Sequence, residues 1–176
     1  LTDRMFERFL IDLGLERAQV RLCFSHTHSG PVVGENLLSL APEDSRQLEV
    51  ALNYADSLID VVVMTIGNAM KPENMESAYG RFGRGFCELA VNRREIEEKN
   101  FTGDHHGLTD HELPVMWFIR DDVTVNDAQI QGNVIGGFYG YAAHASTLTT
   151  GYEYHGDYPG QASMLLENKA NLGGTW

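Results

Sequence analysis

Residues 45–70, SRQLEVALNYADSLIDVVVMTIGNAM, form the longest periodic stretch of the chain and indicate its fold class most directly. Apolar side chains recur there every three or four positions and form one broad stripe, the pattern of a helix with a buried face. The stripe consists of Leu48, Ala51, Leu52, Ala55, Leu58, Ile59, Val62, Val63 and Ile66. We therefore predict a helix over about 45–70, which ends at Lys71-Pro72 because proline cannot continue a helix.

The residues before this segment predict a second, shorter helix and a strand. Thr2 is a candidate N-cap, and Gly14 is a good C-terminal stop for the helix between them. The apolar residues at helical spacing are Met5, Phe6, Phe9, Leu10 and Leu13. Residues 18–25, AQVRLCFS, then alternate between apolar and polar side chains, which predicts a strand.

The residues after the long helix predict several further strands and one last helix. Residues 76–94, ESAYGRFGRGFCELAVNRR, read as a strand in two pieces. The stretches 114–122, PVMWFIRDD, and 133–146, NVIGGFYGYAAHAS, predict two more strands joined as a hairpin. A final helix is expected from Tyr158 to about Ala170, with Asp157 as its N-cap. Helices mixed with strands in this way predict an α/β protein in which mixed β-sheet layers are flanked by α-helices.

The composition excludes some classes of partner. The chain has 176 residues, and its 13 Lys and Arg against 25 Asp and Glu give a net charge of -12 at pH 7. This charge argues against binding to nucleic acid or to an anionic membrane surface. No run of 18 or more apolar residues occurs, so we expect no transmembrane segment in this chain.

Both ends of the chain look like cuts in a longer protein. The sequence begins at Leu1 inside a helix-like pattern and stops at GGTW, which resembles a turn entering another strand. We therefore expect residues 1–176 to be part of a single domain, truncated at both ends. Cys23 and Cys87 do not have the spacing of a structural zinc framework, and whether they ever pair is open. Cys23 is expected in the core of the strand over 18–25.

The stretch FSHTHSGP, residues 24–31, is a candidate metal site. His26 and His28 would project to the same side of an extended chain, and neutral imidazole is a preferred zinc ligand. Two surface histidines in a turn are the alternative. His144 is the best companion, because it follows an apolar run in which a histidine needs partners for its ring nitrogens; a hydrogen-bonded core histidine is the alternative there.

The other histidines carry weaker expectations. His105, His106 and His111 lie in a polar loop and are expected to be exposed to solvent. His155, just before the last helix, is left open. Asp157 could orient a ligand histidine, but capping the helix is a sufficient structural role, and we expect the cap.

Four stretches together resemble a known family. SHTHSGP, the pair Asn92-Arg93, the apolar strand ending in Ala143-His144, and GDYPGQASMLLE are similar, in order and spacing, to the N-terminal catalytic domain of the neutral/alkaline (non-lysosomal) ceramidases and their bacterial relatives. The resemblance extends over essentially the whole chain. Its most specific parts are HTHSGP and the histidine followed by DYPG.

This resemblance implies a zinc-dependent amidase that releases a fatty acid and a sphingoid-type amine from an N-acyl lipid. It implies that His26 and His144 bind Zn²⁺, that His28 contacts the reacting carbonyl or its oxyanion, and that Arg93 lines the same pocket. It also implies an extracytoplasmic protein, secreted or periplasmic. The family's other zinc ligands, a glutamate and a tyrosine, and its serine-bearing segment come later in the chain than residue 176. We therefore expect these 176 residues by themselves to bind zinc weakly and to be inactive.

Departures from the family pattern leave the substrate open. Arg94 stands where ceramidases usually have serine, and Ala145-Ser146 stands where proline is common. The leading hypothesis is a ceramidase-like amidohydrolase that acts on a small-molecule or lipid amide. The alternatives are a zinc hydrolase that uses the same site on another ester or a peptide, and a non-catalytic relative that binds a ligand through this cleft.

Overall fold

A computed structural model describes residues 1–33, 45–92, 108–122, 132–148, 153–169, 174 and 176. The described chain forms two compact units. The first contains Leu1–Phe24 and Gly30–Met75, and the second contains Ser25–Ser29 and Glu76–Trp176. The coarse class expected from the sequence, helices together with a β-sheet, is confirmed.

The first unit is a pair of helices packed on one apolar core. Helix α1 spans Thr2–Leu13 and helix α2 spans Ser45–Ala69, with short 3₁₀ turns at Arg17–Gln19 and Pro72–Asn74. The buried core of this unit consists of Met5, Phe9, Ile59 and Val63. The long helix predicted over 45–70 is confirmed. The second half of its predicted stripe, Leu58, Ile59, Val62, Val63 and Ile66, packs in this core, whereas Leu52 is exposed.

The ends of α1 show which sequence signals decide a helix boundary. The N-cap is Leu1, so the expectation that Thr2 caps the helix is wrong by one residue, and Thr2 is the first helical residue. Gly14 does end the helix, as predicted: its φ is 67°, and its N–H donates to the Leu10 carbonyl. Glycine adopts this left-handed conformation without steric cost, which makes it a strong stop signal.

Ion pairs link the exposed edges of α1 and α2. Arg4 contacts Asp56 at 2.7 Å, and Arg8 contacts Asp60 at 2.9 Å. Because these side chains are exposed, each pair contributes at most about 1 kcal/mol to stability. They set the register of two helices whose attraction comes from the apolar core.

Helix α2 is apolar on more than its packed side. Over Arg46–Ala69 it is long enough and contains a stretch apolar enough, by length and composition, to cross a membrane. The core helix of a soluble protein meets the same criterion, and α2 buries Ile59 and Val63 against α1. The absence of a membrane span therefore stays a prediction.

The second unit contains a three-stranded antiparallel sheet. Strands β1 (Ala78–Phe86), β2 (Glu112–Arg120) and β3 (Val134–Tyr139) lie in the order β1-β2-β3. The predicted pairing of the stretches 114–122 and 133–146 is confirmed, with Met116 opposite Phe138. Helix α3 spans Asp157–Met164 and continues as a π-helical turn over Leu165–Lys169. The hydroxyl of Tyr139 donates to the Pro159 carbonyl, which ties β3 to the start of α3.

Several predicted strand limits are wrong. The stretch 18–25 is not a strand: it begins within the 3₁₀ turn at Arg17–Gln19, and residues 20–25 have no strand assignment. None of the described strands pairs with them, and unpaired backbone does not make a strand. The alternation there reflects packing: Val20 and Leu22 contact the core of the first unit, whereas Phe24 and Cys23 are exposed, so Cys23 is not a core residue. Of the two-piece strand expected over 76–94, only one piece forms, as β1, and residues 87–92 are not in a strand. Strand β3 ends at Tyr139, five residues before His144.

Truncating the core phenylalanine tests the first unit. Phe9 is fully buried, so Phe9→Ala should lower the free energy of unfolding by about 3–5 kcal/mol through lost burial and a residual cavity. Phe24 in the same unit is 66% exposed, and Phe24→Ala should change it by no more than about 0.5 kcal/mol. Urea unfolding followed by circular dichroism measures both. Equal effects of the two variants would contradict this account of the core.

Candidate metal centre

Three histidine side chains of the second unit point their Nε2 atoms at one another. The Nε2 atom of His26 lies 3.0 Å from that of His144 and 3.4 Å from that of His28. One ring nitrogen from each of the three residues lies within 4.8 Å of those of the other two. The ring planes are inclined at 65° to 69° to one another, so the rings converge edge-on and do not stack. All three side chains are open to solvent.

This geometry fits a zinc ion. Nitrogen ligands about 2.0–2.1 Å from zinc, at tetrahedral angles, are separated from one another by about 3.3 Å. The two measured separations lie on either side of that value. Three protein nitrogens with an open fourth position make up the ligand set of a catalytic zinc site. The residues present therefore fit the metal that the sequence led us to expect.

Hydrogen bonding among the rings cannot replace a cation fully. A neutral imidazole offers one N–H donor and one lone pair, and the lone pair accepts from one donor at a time. The Nε2 atom of His26 has two other Nε2 atoms within 3.4 Å, so a proton can lie in only one of these contacts unless a ring is charged. The remaining contact brings two like atoms together. A cation held by His26 and His144 would satisfy both of their lone pairs at once.

The first two histidines are placed by the residue between them. Thr27 is half-buried, and its hydroxyl donates to the His155 carbonyl at 2.8 Å while accepting the Ser29 N–H at 3.2 Å. The His28 N–H donates to the Ala145 carbonyl at 3.3 Å, which ties this segment to the residue after His144. Thr27 is therefore anchored, while the rings of His26 and His28 on either side of it remain exposed and bring their Nε2 atoms to 3.4 Å.

The backbone at His26 is strained. Its φ is 58°, in the left-handed region that costs a non-glycine residue roughly 1 kcal/mol or more. Gly30, the glycine nearest to the two histidines, does not have a positive φ. The unusual backbone conformation therefore lies at a candidate ligand.

His144 is placed by contacts on both sides of it in the chain. The hydroxyl of Tyr158 donates to the carbonyl of Ala143 at 2.7 Å, and Ala145 is buried. The Nδ1 atom of His144 lies 2.7 Å from the hydroxyl oxygen of Ser146, which fixes the ring so that Nε2 faces the other two histidines. A partner on the second ring nitrogen is the usual way in which proteins orient a metal-binding histidine. His144 is exposed, so the alternative of a core histidine is wrong.

Asp157 is a buried carboxylate at the first residue of helix α3. Its residue is 1% exposed, its Oδ2 accepts the Leu148 N–H at 2.9 Å, and its Oδ1 accepts the Tyr158 N–H at 2.7 Å. The N-cap position itself belongs to Gly156, so the expected N-cap assignment is wrong by one residue. Burial by itself raises the pKa of the Asp157 carboxyl, but hydrogen bonds from Leu148, Tyr158 and Thr147 outweigh it and hold the pKa below its ordinary value.

The other predicted residues have different outcomes. Arg93, His105 and His106 lie outside the described residues, so the expectations for them stay predictions. His111 is half-buried against the Phe86 ring, so the expectation that it is exposed is wrong.

The ring of His155, which the sequence left open, is held by the chain around it. Its Nδ1 accepts the Asp157 N–H at 3.2 Å, and its Nε2 donates to the Leu148 carbonyl at 2.7 Å. Both ring nitrogens therefore have protein partners.

Sequence reasoning missed the residues that support the histidines. Thr27, Ser146 and Tyr158 each contribute a hydroxyl to the placement of a histidine-bearing segment. Thr27 lies between His26 and His28, and Ser146 follows His144 by two residues. Their closeness to the histidines in the sequence could have identified both as supporting residues. The contact of Tyr158 with Ala143 spans 15 residues and has no local signal.

Comparison of the chain with protein-family models, with curated proteins and with solved structures gives no match. The resemblance to ceramidases therefore rests on the motifs quoted above.

The Asp157 carboxylate should make stability depend on pH. Because its pKa is lowered in the folded state, its stabilising effect is complete above the ordinary carboxyl pKa and is lost as the pH falls through the folded value. Asp157→Asn should therefore destabilise the metal-free protein most near neutral pH, and the difference from wild type should shrink below about pH 4. Urea unfolding between pH 3 and pH 7 measures this difference. The exposed Asp122, changed to Asn, is the control; a pH-independent effect at Asp157 would contradict the assignment.

Proposed function

We propose that His26, His28 and His144 form the centre of a zinc-dependent amidohydrolase of the ceramidase type, which cleaves an N-acyl bond and releases a fatty acid and a sphingoid-type amine. The observation that carries this proposal is the convergence of the three imidazoles, in which the Nε2 atoms of His26 and His144 lie 3.0 Å apart and that of His28 lies 3.4 Å from His26. The motifs around these histidines supply the reaction class, and the geometry supports the metal.

The roles of the residues follow from their contacts. His26 and His144 have the shortest nitrogen separation, 3.0 Å, and are the proposed ligands. When bound there, zinc would polarise a substrate carbonyl and make water a nucleophile at neutral pH, which an inert amide requires. The exposed rings leave room for a substrate to approach.

His28 is proposed to face the substrate. Its Nε2 lies 3.4 Å from that of His26, and its ring centroid lies 4.5 Å from that of His144, so a carbonyl beside the ligands would be within its reach. An imidazole there can donate a hydrogen bond to a developing oxyanion or a proton to the leaving amine. Arg93 is proposed to line the same pocket, where its guanidinium would bind an oxyanion or a product carboxylate.

The proposal also includes three features that the resemblance to ceramidases implies. They are a layered mixed sheet flanked by helices, additional zinc ligands from further along the chain, and an extracytoplasmic location. A lipid amide is the proposed substrate class.

A second candidate keeps the centre and changes the substrate to another ester or a peptide. It is favoured by the departure from the family pattern at Ala145-Ser146, where Ser146 contacts the ring of His144 at 2.7 Å. A hydroxyl at this position adjusts a candidate ligand directly, so this centre differs from that of the typical ceramidases in its immediate support.

A substrate panel separates these two candidates. The full-length protein is incubated with N-acyl sphingosines, acyl esters and peptides, and each product is quantified. Preferential release of sphingosine supports the ceramidase-type reaction, and hydrolysis of esters or peptides alone supports the second candidate. Full activity in a metal-free preparation would contradict both.

Removing either proposed ligand should abolish metal binding and activity together. In the full-length protein, His26→Ala and His144→Ala should each lose stoichiometric zinc. Activity should fall by about a thousandfold or more, because zinc contributes several kcal/mol to catalysis. Metal analysis and single-turnover kinetics measure the two effects. His111→Gln, a histidine change outside the centre, is the control and should retain zinc; loss of zinc there as well would indicate general unfolding.

His28 should separate metal binding from catalysis. If it faces the substrate, His28→Ala should retain most of the zinc affinity while lowering kcat by about 10²–10³-fold, the usual cost of removing an oxyanion donor. Competition with a zinc chelator gives the affinity, and steady-state kinetics give kcat. A loss of affinity as large as that of His26→Ala would instead make His28 a third ligand.

A further inference from the structure

The turn at residues 155–158, where helix α3 begins, contacts both chain segments that carry the candidate ligands. Toward the HTH segment it makes two hydrogen bonds: the Thr27 hydroxyl donates to the His155 carbonyl, and the His155 N–H donates to the Ser29 carbonyl at 3.2 Å. These bonds hold residues on both sides of His28. We call residues 155–158 the bracing turn.

The bracing turn also holds the segment that carries His144. Tyr158 donates to the Ala143 carbonyl, immediately before His144, at 2.7 Å. After His144, the Asp157 carboxylate accepts the Leu148 N–H and the His155 ring donates to the Leu148 carbonyl. The bracing turn therefore fixes this segment before and after the histidine.

The properties of these residues exceed what the start of a helix requires. Asp157 is the one buried charged residue among those described, and its φ is 53°, in the left-handed region. Burial of a carboxylate and a strained backbone both cost free energy, and a helix of eight residues can start without either. Burial also raises the pKa of Tyr158, which keeps its hydroxyl protonated and able to donate.

We propose that the bracing turn is the positioning device of the three-histidine centre, and that Asp157 and Tyr158 are positioning residues that hold the HTH segment and the His144 segment together at the separation the metal needs. This inference rests on the proposed function in so far as His26 and His144 bind a metal. Neither residue touches the metal or the substrate in this role. Both act through the backbone on either side of His144.

Tyr158→Phe is the sharpest variant, because it removes one oxygen and leaves the ring in place. Tyr139→Phe is a matched control: its hydroxyl is likewise part-buried and donates to a backbone carbonyl at 2.7 Å, but that carbonyl belongs to Pro159 in helix α3. Tyr139→Phe also loses a 3.4 Å contact with the Ser163 hydroxyl, so its melting temperature should fall at least as much as that of Tyr158→Phe. Of these two tyrosine hydroxyls, only that of Tyr158 bonds to the segment that carries His144.

The test is a titration of the full-length protein with Co²⁺, whose visible absorption reports coordination geometry. Tyr158→Phe should weaken Co²⁺ binding about tenfold, the lower end of the effect of losing an outer-shell partner, and should change the visible spectrum. Tyr139→Phe should leave affinity and spectrum as in wild type. Equal affinities and spectra for the two variants would overturn the inference while leaving the metal centre intact.

A metal-free measurement separates this inference from the proposed function. Histidine ring resonances of the chelator-treated protein are compared by two-dimensional NMR. Tyr158→Phe should shift or broaden the His144 resonances, and Tyr139→Phe should not. If wild type binds no Co²⁺, the proposed function fails, and this shift still decides whether the turn positions His144; unchanged resonances in both variants would overturn the inference.

Discussion

The contact between the Nε2 atoms of His26 and His144, 3.0 Å long, joins residues 118 positions apart, and the arrangement of the second unit around it meets a single requirement. Imidazole nitrogens placed so close need a proton or a cation between them, so the surrounding chain has to hold the two rings at this separation. Closing a chain segment of this length costs conformational entropy, which no contact between two exposed rings can offset. The buried contacts behind the rings must do so. In this structure they are the hydrogen bonds of residues 155–158 and the packing of Ala145.

The centre therefore consists of an exposed layer and a buried layer with different tasks. The exposed layer is the three imidazoles, which supply the chemistry and need access to water and substrate. The buried layer is the Asp157 carboxylate together with the half-buried Thr27 and Tyr158, which supply geometry. Backbone strain occurs in both layers, at His26 and at Asp157. Strain of this kind persists only where neighbouring contacts determine the conformation, and these contacts are the hydrogen bonds to the segments on either side.

The sequence predicted the elements of the fold whose signal is local and periodic. Helix α2 repeats its apolar stripe from Leu48 to Ile66, and Gly14 adopts without cost the left-handed conformation that ends α1, so both were predicted. The hairpin of β2 and β3 was predicted because two apolar runs flank a polar one. The strand over 18–25 was not correct, because alternation reports which side chains are buried and says nothing about a hydrogen-bonded neighbour. The end of β3 was also missed, because tertiary contacts decide where it stops, whereas the last helix, with its π-helical turn, ends within about one residue of its predicted limit.

The same distinction explains which part of the centre could be found from the sequence. His26, His28 and His144 were selected because histidine is uncommon and its chemistry is specific, and the structure brings these three together. Their supporting residues are a threonine, a serine, an aspartate and a tyrosine, whose roles depend on distances through space that no motif encodes. The HTH stretch was expected to present both histidines on one side because it would continue a strand. It does so without a strand: His26 has left-handed backbone, Thr27 is anchored to the carbonyl of His155, and the Nε2 atoms of the two histidines still lie 3.4 Å apart. The motif therefore places both histidine rings on the same side of the chain. The hydrogen bonds of residues 155–158 then fix where that segment lies in the second unit.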